Sequence, residues 1–209
     1  MLPGNIAANC HLGAELAFFK KVSYVRSMAL RSDWSQRNCS IARGLDIFGD
    51  PWGMLVLREV FFGNGRFDAM KTRLQVADSV LTRRLSALVE SGLLAKQPYD
   101  DGGRTRHEYV LTAKGEDALP VLNAVVLWSE KHLQAPSEQA HVYVIHTTCG
   151  QRTSSADTCT ECGERLTAEN TSWHSPARSA EPIPLATAHK HTDRTANPVA
   201  GGGEKGTAA

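Results

Sequence analysis

The stretch that most constrains this chain is Ala77 to Arg106, which reads ADSVLTRRLSALVESGLLAKQPYDDGGRTR. At 100° per residue, Leu81, Leu85 and Leu88 fall in one narrow arc of a helix, while Ser79, Arg83, Ser86 and Glu90 point the other way and Thr82 flanks them. Gly92 breaks the helix. Leu93 to Gln97 and His107 to Leu111 then read as paired strands, and Asp101-Gly102-Gly103 supplies the positive-φ residues of a hairpin tip. A helix followed at once by a two-stranded hairpin is the layout of a recognition helix and its wing.

The polar face of that helix suits a major groove, where short polar groups and a long donor near the amino end reach base edges. Ser79, Thr82 and Arg83 meet that demand, with Ser86 further along the same side. Arg84 lies at the edge of the buried side, so a phosphate or an internal carboxylate is its expected partner rather than a base. Arg104 and Arg106 leave the hairpin tip as expected phosphate contacts, with access to the minor groove. The formal net charge of the 209 residues is only +1, so charge supports this reading locally or not at all. From Arg66 to Arg106 eight basic residues face five acidic ones, a local balance of +3.

The flanking segments complete a helical domain. Ser40 can cap a helix with Ile41, Leu45 and Phe48 on one face, stopped by Gly49. Pro51 opens a second, with Trp52, Leu55, Val56, Val60 and Phe61 as its apolar face, and Phe67 to Leu74 forms a third. Thr112 caps a further turn, and a longer helix containing Pro120 runs to about Leu133. Its stripe of Leu122, Val125, Val126, Ser129 and Leu133 suits either the domain's own core or a dimer contact.

After Pro136 the composition changes. Val142 to Ile145 reads as a strand leading into His146-Thr147-Thr148-Cys149-Gly150, and Cys159-Thr160-Glu161-Cys162-Gly163 repeats the pattern of ligand, two residues, ligand, glycine. Two such knuckles aim four side chains at one point, which is how a zinc ribbon builds a tetrahedral site. His146, Cys149, Cys159 and Cys162 are the expected ligands of one structural Zn2+ per chain. Histidine 146 is the least secure of the four, with Glu161, His141, His174 or a water as substitutes. A unit of about 30 residues buries too little apolar surface to fold alone, the physical reason for a metal there. A redox dithiol is the other reading of CxxC, but no thioredoxin-like setting surrounds it.

The fold class expected is mainly α with a small β-hairpin (α+β). Residues 1–35 form an uncertain extension, 36–135 a winged helix-turn-helix domain, 141–174 a zinc-ribbon-like β module, and 175–209 a disordered tail rich in Ala, Pro, Thr and Gly. His174, His189 and His191 are read as tail residues or loose metal contacts. A short amphipathic helix is conceivable around Leu12 to Val25, and Met28 begins MALRSDWSQRNCS, which reads as a natural start. No run of about 18 apolar residues is present. With no secretory signal and three of five cysteines clustered, the expected location is cytoplasmic.

Taken together, Cys39-Ser40-Ile41-Ala42-Arg43, Leu57-Arg58-Glu59, Arg66-Phe67, Leu81-Thr82-Arg83-Arg84-Leu85, Gly92-Leu93, Arg106-His107-Glu108-Tyr109, Leu111-Thr112-Ala113-Lys114-Gly115 and Trp128 resemble the HxlR-type winged helix-turn-helix transcriptional regulators, relatives of the MarR-like repressors. The resemblance implies a homodimer held by its first and last helices on double-stranded DNA at a partly palindromic operator. It also implies an unidentified small-molecule or redox effector, with Cys39 at the position of the family's sensing cysteine. Near Cys39 only Arg37, Arg43 and a helix amino terminus would favour a thiolate, so a partly buried, inert thiol is the reading preferred. The alternative function is a protein-interaction module that contacts the transcription machinery. A zinc hydrolase lacks a HExxH helix and an open metal site, so no enzymatic activity is expected.

Overall fold

A computed structural model describes residues 34–187. The amphipathic segment Leu12 to Val25, the start at Met28, and His189 and His191 lie outside the described residues. The chain divides into two compact units, one ending at Asp46 and one beginning at Ile47.

The first unit contributes most of α1, Ser40–Phe48. Trp34 N donates to Asp46 Oδ1 at 3.2 Å, and the Arg43 guanidinium reaches Arg37 O at 2.7 Å. Ile41 is 74% exposed.

The second unit starts with α2, Pro51–Phe61, whose first turn is closed by Asp50 Oδ1 accepting from Gly53 N at 2.8 Å. Its inner face buries Val56, Leu57, Val60 and Phe61. Helix α3, Phe67–Leu74, anchors on Met70 and ends at Gln75 in the left-handed region, and α4, Asp78–Glu90, buries Leu81, Leu85 and Leu88. Thus the arc read from the sequence is the packed one.

Strands β1, Leu94–Asp101, and β2, Arg104–Leu111, pair antiparallel from Leu94↔Leu111 to Asp101↔Arg104. The wing is longer than the sequence suggested because Pro98 sits in a two-stranded ribbon, where its missing N–H costs no ladder bond on an outer edge. Gly102 and Gly103 both take positive φ at the tip, at 62° and 87°. A short helix α5, Ala113–Glu116, follows, and Gly115 packs so tightly on Leu93 that a Cβ there would lie 2.1 Å from its carbonyl oxygen.

Helix α6, Leu119–His132, divides the stripe expected on it. Leu122 is buried and Val126 half-buried, whereas Val125, Trp128 and Leu133 are more than half exposed at 54%, 58% and 58%. Beyond it, β3 (Tyr143–His146), β4 (Gln151–Arg152), β5 (Thr171–His174) and β6 (Ile183–Pro184) form an antiparallel sheet in the order β4-β3-β5-β6.

Of the tail expected to be disordered from residue 175, residues 175–187 are instead ordered. Here β6 pairs with β5 through Ser172↔Pro184 and Trp173↔Ile183, and Leu185 is 1% exposed. The expectation failed because Ile183 and Leu185 are too few for a periodic signal, yet each fills a site that a distant strand provides. One core runs from Val56 to Leu185, so the β module packs on the winged-helix part. Trp173 is the link: its ring lies 5.7 Å from that of Phe61 and 5.2 Å from that of Phe62, and its Nε1 donates to the buried Asn123 Oδ1 at 2.9 Å.

Candidate nucleic-acid interface and metal cluster

On α4, Ser79, Thr82 and Arg83 are exposed and Ser86 is half-buried. Arg83 forms no side-chain hydrogen bond or ion pair among the described residues. Arg84 behaves differently: its Nη2 lies 2.6 Å from Asp50 Oδ2 and its side chain is only 15% exposed. Of the two partners expected for Arg84 the structure supplies the internal carboxylate. Asp50 therefore caps α2 and ties α4 to it, two roles that no local sequence signal distinguishes.

The wing arginines also differ from each other. Arg104 is exposed and forms no ion pair among the described residues, whereas Arg106 reaches Asp68 Oδ2 at 3.1 Å through Nη1 and Asp101 Oδ2 at 3.0 Å through Nε. Arg106 thus bridges the wing to α3, and both acidic partners are solvent-facing. Arg73, which sequence reasoning passed over as a site residue, is exposed on α3. The isolated bridge Arg66↔Glu108 and the bond from Tyr109 N to Gly65 O at 2.8 Å fasten the wing to the turn before α3.

The second site lies at one end of the β module. His146, Cys149, Cys159 and Cys162 converge so that one ligand atom from each lies within 4.8 Å of all the others. His146 Nδ1 is 3.3 Å from the Sγ atoms of both Cys149 and Cys162, and Cys149 Sγ is 3.6 Å from Cys159 Sγ. The tight turns at Gly150 and Gly163, with φ of 70° and 76°, bring the pairs together. The Cys159 thiol is brought from 9.0 to about 7, chiefly by the backbone N–H of Cys162; burial opposes this, and the N–H of Glu161 and the thiols of Cys149 and Cys162 assist it.

His146 is fully buried with Nδ1 toward the thiols, and its Nε2 lies 3.3 Å from Glu164 Oε2, off the line of a good hydrogen bond. A metal-bound imidazole commonly sets its second nitrogen against a carboxylate in this way. Two of the substitutes weighed for His146 lie beside other side chains. His141 pairs with Glu130 at 2.6 Å, and that carboxylate raises its pKa, while the His174 ring lies 6.0 Å from that of Tyr143. Three thiols and one imidazole make a set that can hold a metal ion and, with four protein ligands, leave no open position for catalysis.

Cys39 is exposed, not partly buried as expected, and immediately precedes α1. The neighbouring Arg43 guanidinium is directed to Arg37 O and Ser40 Oγ. Sequence reasoning missed Arg178, whose guanidinium binds the fully buried Glu59 together with Arg58 and Asn64. The signal was available in part, because an acidic residue inside the apolar run VLREVFF needs a cation to be buried. Burial pushes the Glu59 carboxyl up, but hydrogen bonds from Arg178, Arg58 and Asn64 outweigh it and hold the group below its ordinary value. Among the described residues no helix is long and apolar enough to cross a membrane.

Known proteins bear on this arrangement. The profile of the HxlR-like helix-turn-helix family matches residues 47–137. An HTH-type transcriptional regulator of Mycobacterium tuberculosis is 37% identical over 131 residues, 63% of this chain and 82% of the relative. One from Methanothermobacter thermautotrophicus is 33% identical over 95 residues, 45% of this chain and 72% of its own length. The crystal structure of a candidate transcription factor, 35% identical, superposes with a TM-score of 0.54 over 66% of this chain and 96% of its own. A relative matched over most of its length and a family profile that spans α2 to α6 lead to one conclusion: the chain belongs to the HxlR-like helix-turn-helix family of transcriptional regulators.

Proposed function

We propose that the protein binds double-stranded operator DNA as a homodimer, with α4 in the major groove and the wing on the backbone and in the minor groove. The observation that carries this reading is the contrast on α4: Arg84 is held by Asp50, while Arg83, beside Ser79 and Thr82, is exposed with no partner among the described residues. A free guanidinium flanked by short hydroxyls is suited to base edges. Arg104 and Arg106 serve phosphates, the latter by exchanging its carboxylate partners for DNA. Dimerisation uses the face of α6 that carries Val121, Val125, Trp128 and Leu133, all exposed. Two copies then set the spacing of the half-sites, and the operator is correspondingly near-palindromic. The His146, Cys149, Cys159 and Cys162 cluster binds one structural Zn2+, and the protein works in the cytoplasm.

The experiment is retardation of the chain's own upstream DNA at low salt. Arg83→Ala should weaken specific binding by about 1–3 kcal/mol and relax preference at one base position. Arg104→Ala should weaken all sequences alike and reduce the slope of log affinity against log salt by about 0.9. Wild-type behaviour in both variants would remove the groove assignment. It would favour the second reading, a module that contacts the transcription machinery through the exposed α6 face.

A further inference from the structure

We propose that metal loading of the His146/Cys149/Cys159/Cys162 cluster controls DNA binding, because it locks residues 175–187 onto α2 and through them holds the turn between α2 and α3. The inference rests on the DNA-binding reading above and assigns that site its effector class, a thiophilic divalent cation such as Zn2+.

The path is short and continuous. His146 of β3 pairs with Thr171 of β5, and Thr147 N donates to Asn170 O at 2.8 Å, so the ligand knuckle and the start of β5 move together. Strand β5 in turn organises the arm, through its pairing with β6 and through Leu185 N donating to Thr171 O at 3.2 Å. Residues 175–187, the arm, then grip α2 and its C-cap residue Phe62 at three points. Ala186 N donates to Phe61 O at 2.8 Å, the Arg178 guanidinium lies 4.1 Å over the Phe62 ring, and the same guanidinium pairs with Glu59.

Glu59 is where the grip reaches the DNA-facing part. Its carboxylate accepts from Asn64 Nδ2 at 3.2 Å, and its backbone oxygen accepts from Asn64 N at 2.9 Å. The adjacent Gly65 abuts the wing so closely that a Cβ on it would lie 2.3 Å from Tyr109 O, and its own oxygen receives Tyr109 N. Displacement of this turn therefore moves the wing and the start of α3 together. A fully buried carboxylate that loses one of its cations does not stay where it is, since the uncompensated charge draws in water or swings out. A module this small has little core without its ligand cluster, so removal of the metal frees the arm and with it Arg178. The arm thus has two discrete arrangements, docked and released, which is the physical requirement for coupling between distant sites.

The test compares the full zinc-loaded chain with the same chain stripped by a zinc chelator. On stripping, trypsin should cut after Arg178 at least tenfold faster, the Tyr109 amide should exchange at least tenfold faster, and affinity for the upstream DNA should fall at least tenfold. Added zinc should reverse the exchange and affinity changes. Arg178→Gln, still carrying one zinc per chain, should reproduce the faster Tyr109 exchange and the weaker DNA binding, which separates loss of the lock from collapse of the module. Continued protection of Arg178 in the stripped chain overturns the proposal, as does a Tyr109 exchange rate or a DNA affinity that stays within twofold once Arg178 is cleavable. If the zinc-loaded chain binds no DNA at all, the DNA-binding reading fails, metal control of DNA binding falls with it, and the proteolysis and exchange results still decide whether the metal locks the arm.

Discussion

The winged-helix part and the β module reach their packed states by different physical means. Helices α2, α3 and α4 close on Val56, Leu57, Phe61, Met70, Leu81 and Leu85, side chains that pair apolar surface with apolar surface. The β module buries Val144, Leu166, Ala168, Trp173 and Leu185, together with His146 and Cys159 of the cluster and the hydroxyl side chains of Thr153 and Thr171. Its largest apolar side chain, Trp173, faces Phe61 and Phe62 of the neighbouring part. The module is thus stabilised from its two ends, by a ligand cluster at one and by a borrowed core at the other, whereas the helical part is stabilised from its centre.

Loss of the cluster should have the largest effect. Structural zinc contributes about 10–16 kcal/mol to the folding of small isolated zinc modules, and Cys159→Ser removes a buried ligand. The variant should bind well under one zinc per chain and lose the near-ultraviolet signal of Trp173 while the helical far-ultraviolet signal persists. Joint loss of both signals would mean that the two parts form a single cooperative unit and would break the contrast.

Trp173→Ala attacks the other end of the module. Deletion of a buried indole costs about 3–5 kcal/mol, and here it also leaves Asn123 Oδ1 without its donor. A lower denaturation midpoint, with zinc still bound, is the expected outcome. A zinc-free variant would show instead that the borrowed core, not the knuckles, organises the cluster.

What was legible in the sequence follows the same division. In α4 the burial of Leu81, Leu85 and Leu88 and the exposure of Ser79, Thr82 and Arg83 were read correctly, because helical periodicity is a local property of a short window. The cluster was legible for a related reason: each knuckle declares itself within four residues, and only the pairing of the two had to be inferred. The partners of Arg84 and Glu59 were not legible. Asp50 and Arg178 lie 34 positions before and 119 positions after them, and no periodicity connects such pairs. The stripe on α6, open in the sequence to either core or dimer use, divides for a further reason: Leu122 is buried and Asn123 is bonded to Ala156 of the β module, while Val125 and Leu133 are left exposed.

Gly115 tests the helical part at a point where no metal or module is involved. A Cβ at this position meets the Leu93 carbonyl at 2.1 Å and Leu111 Cδ2 at 3.2 Å, so α5 must move away from the wing. Gly115→Ala should destabilise by about 1–3 kcal/mol, as overpacking of a close contact does. Its effect should appear in the helical signal and leave zinc content unchanged, which would sharpen the distinction between the two parts.

The smallest expected effect concerns Glu59, the group that both parts share. Its folded-state pKa lies below the ordinary 4.5, so the ionised form is favoured in the native chain and the folded protein binds fewer protons than the unfolded one. The stability this contributes is complete above pH 4.5 and disappears as pH falls through the lower folded value, with each unit of depression equivalent to about 1.4 kcal/mol. Glu59→Gln cannot titrate, so the stability difference between wild type and variant should be constant above that pH and narrow below it. Equilibrium unfolding between pH 3 and 7 measures this directly. The narrowing should also appear in a chain truncated after Ser175, but less steeply, because Arg178 is absent there and only Arg58 and Asn64 remain to hold the carboxylate. Equal slopes in the two chains would show that the arm contributes nothing to Glu59, and the ion pair would then be no part of what joins the two parts.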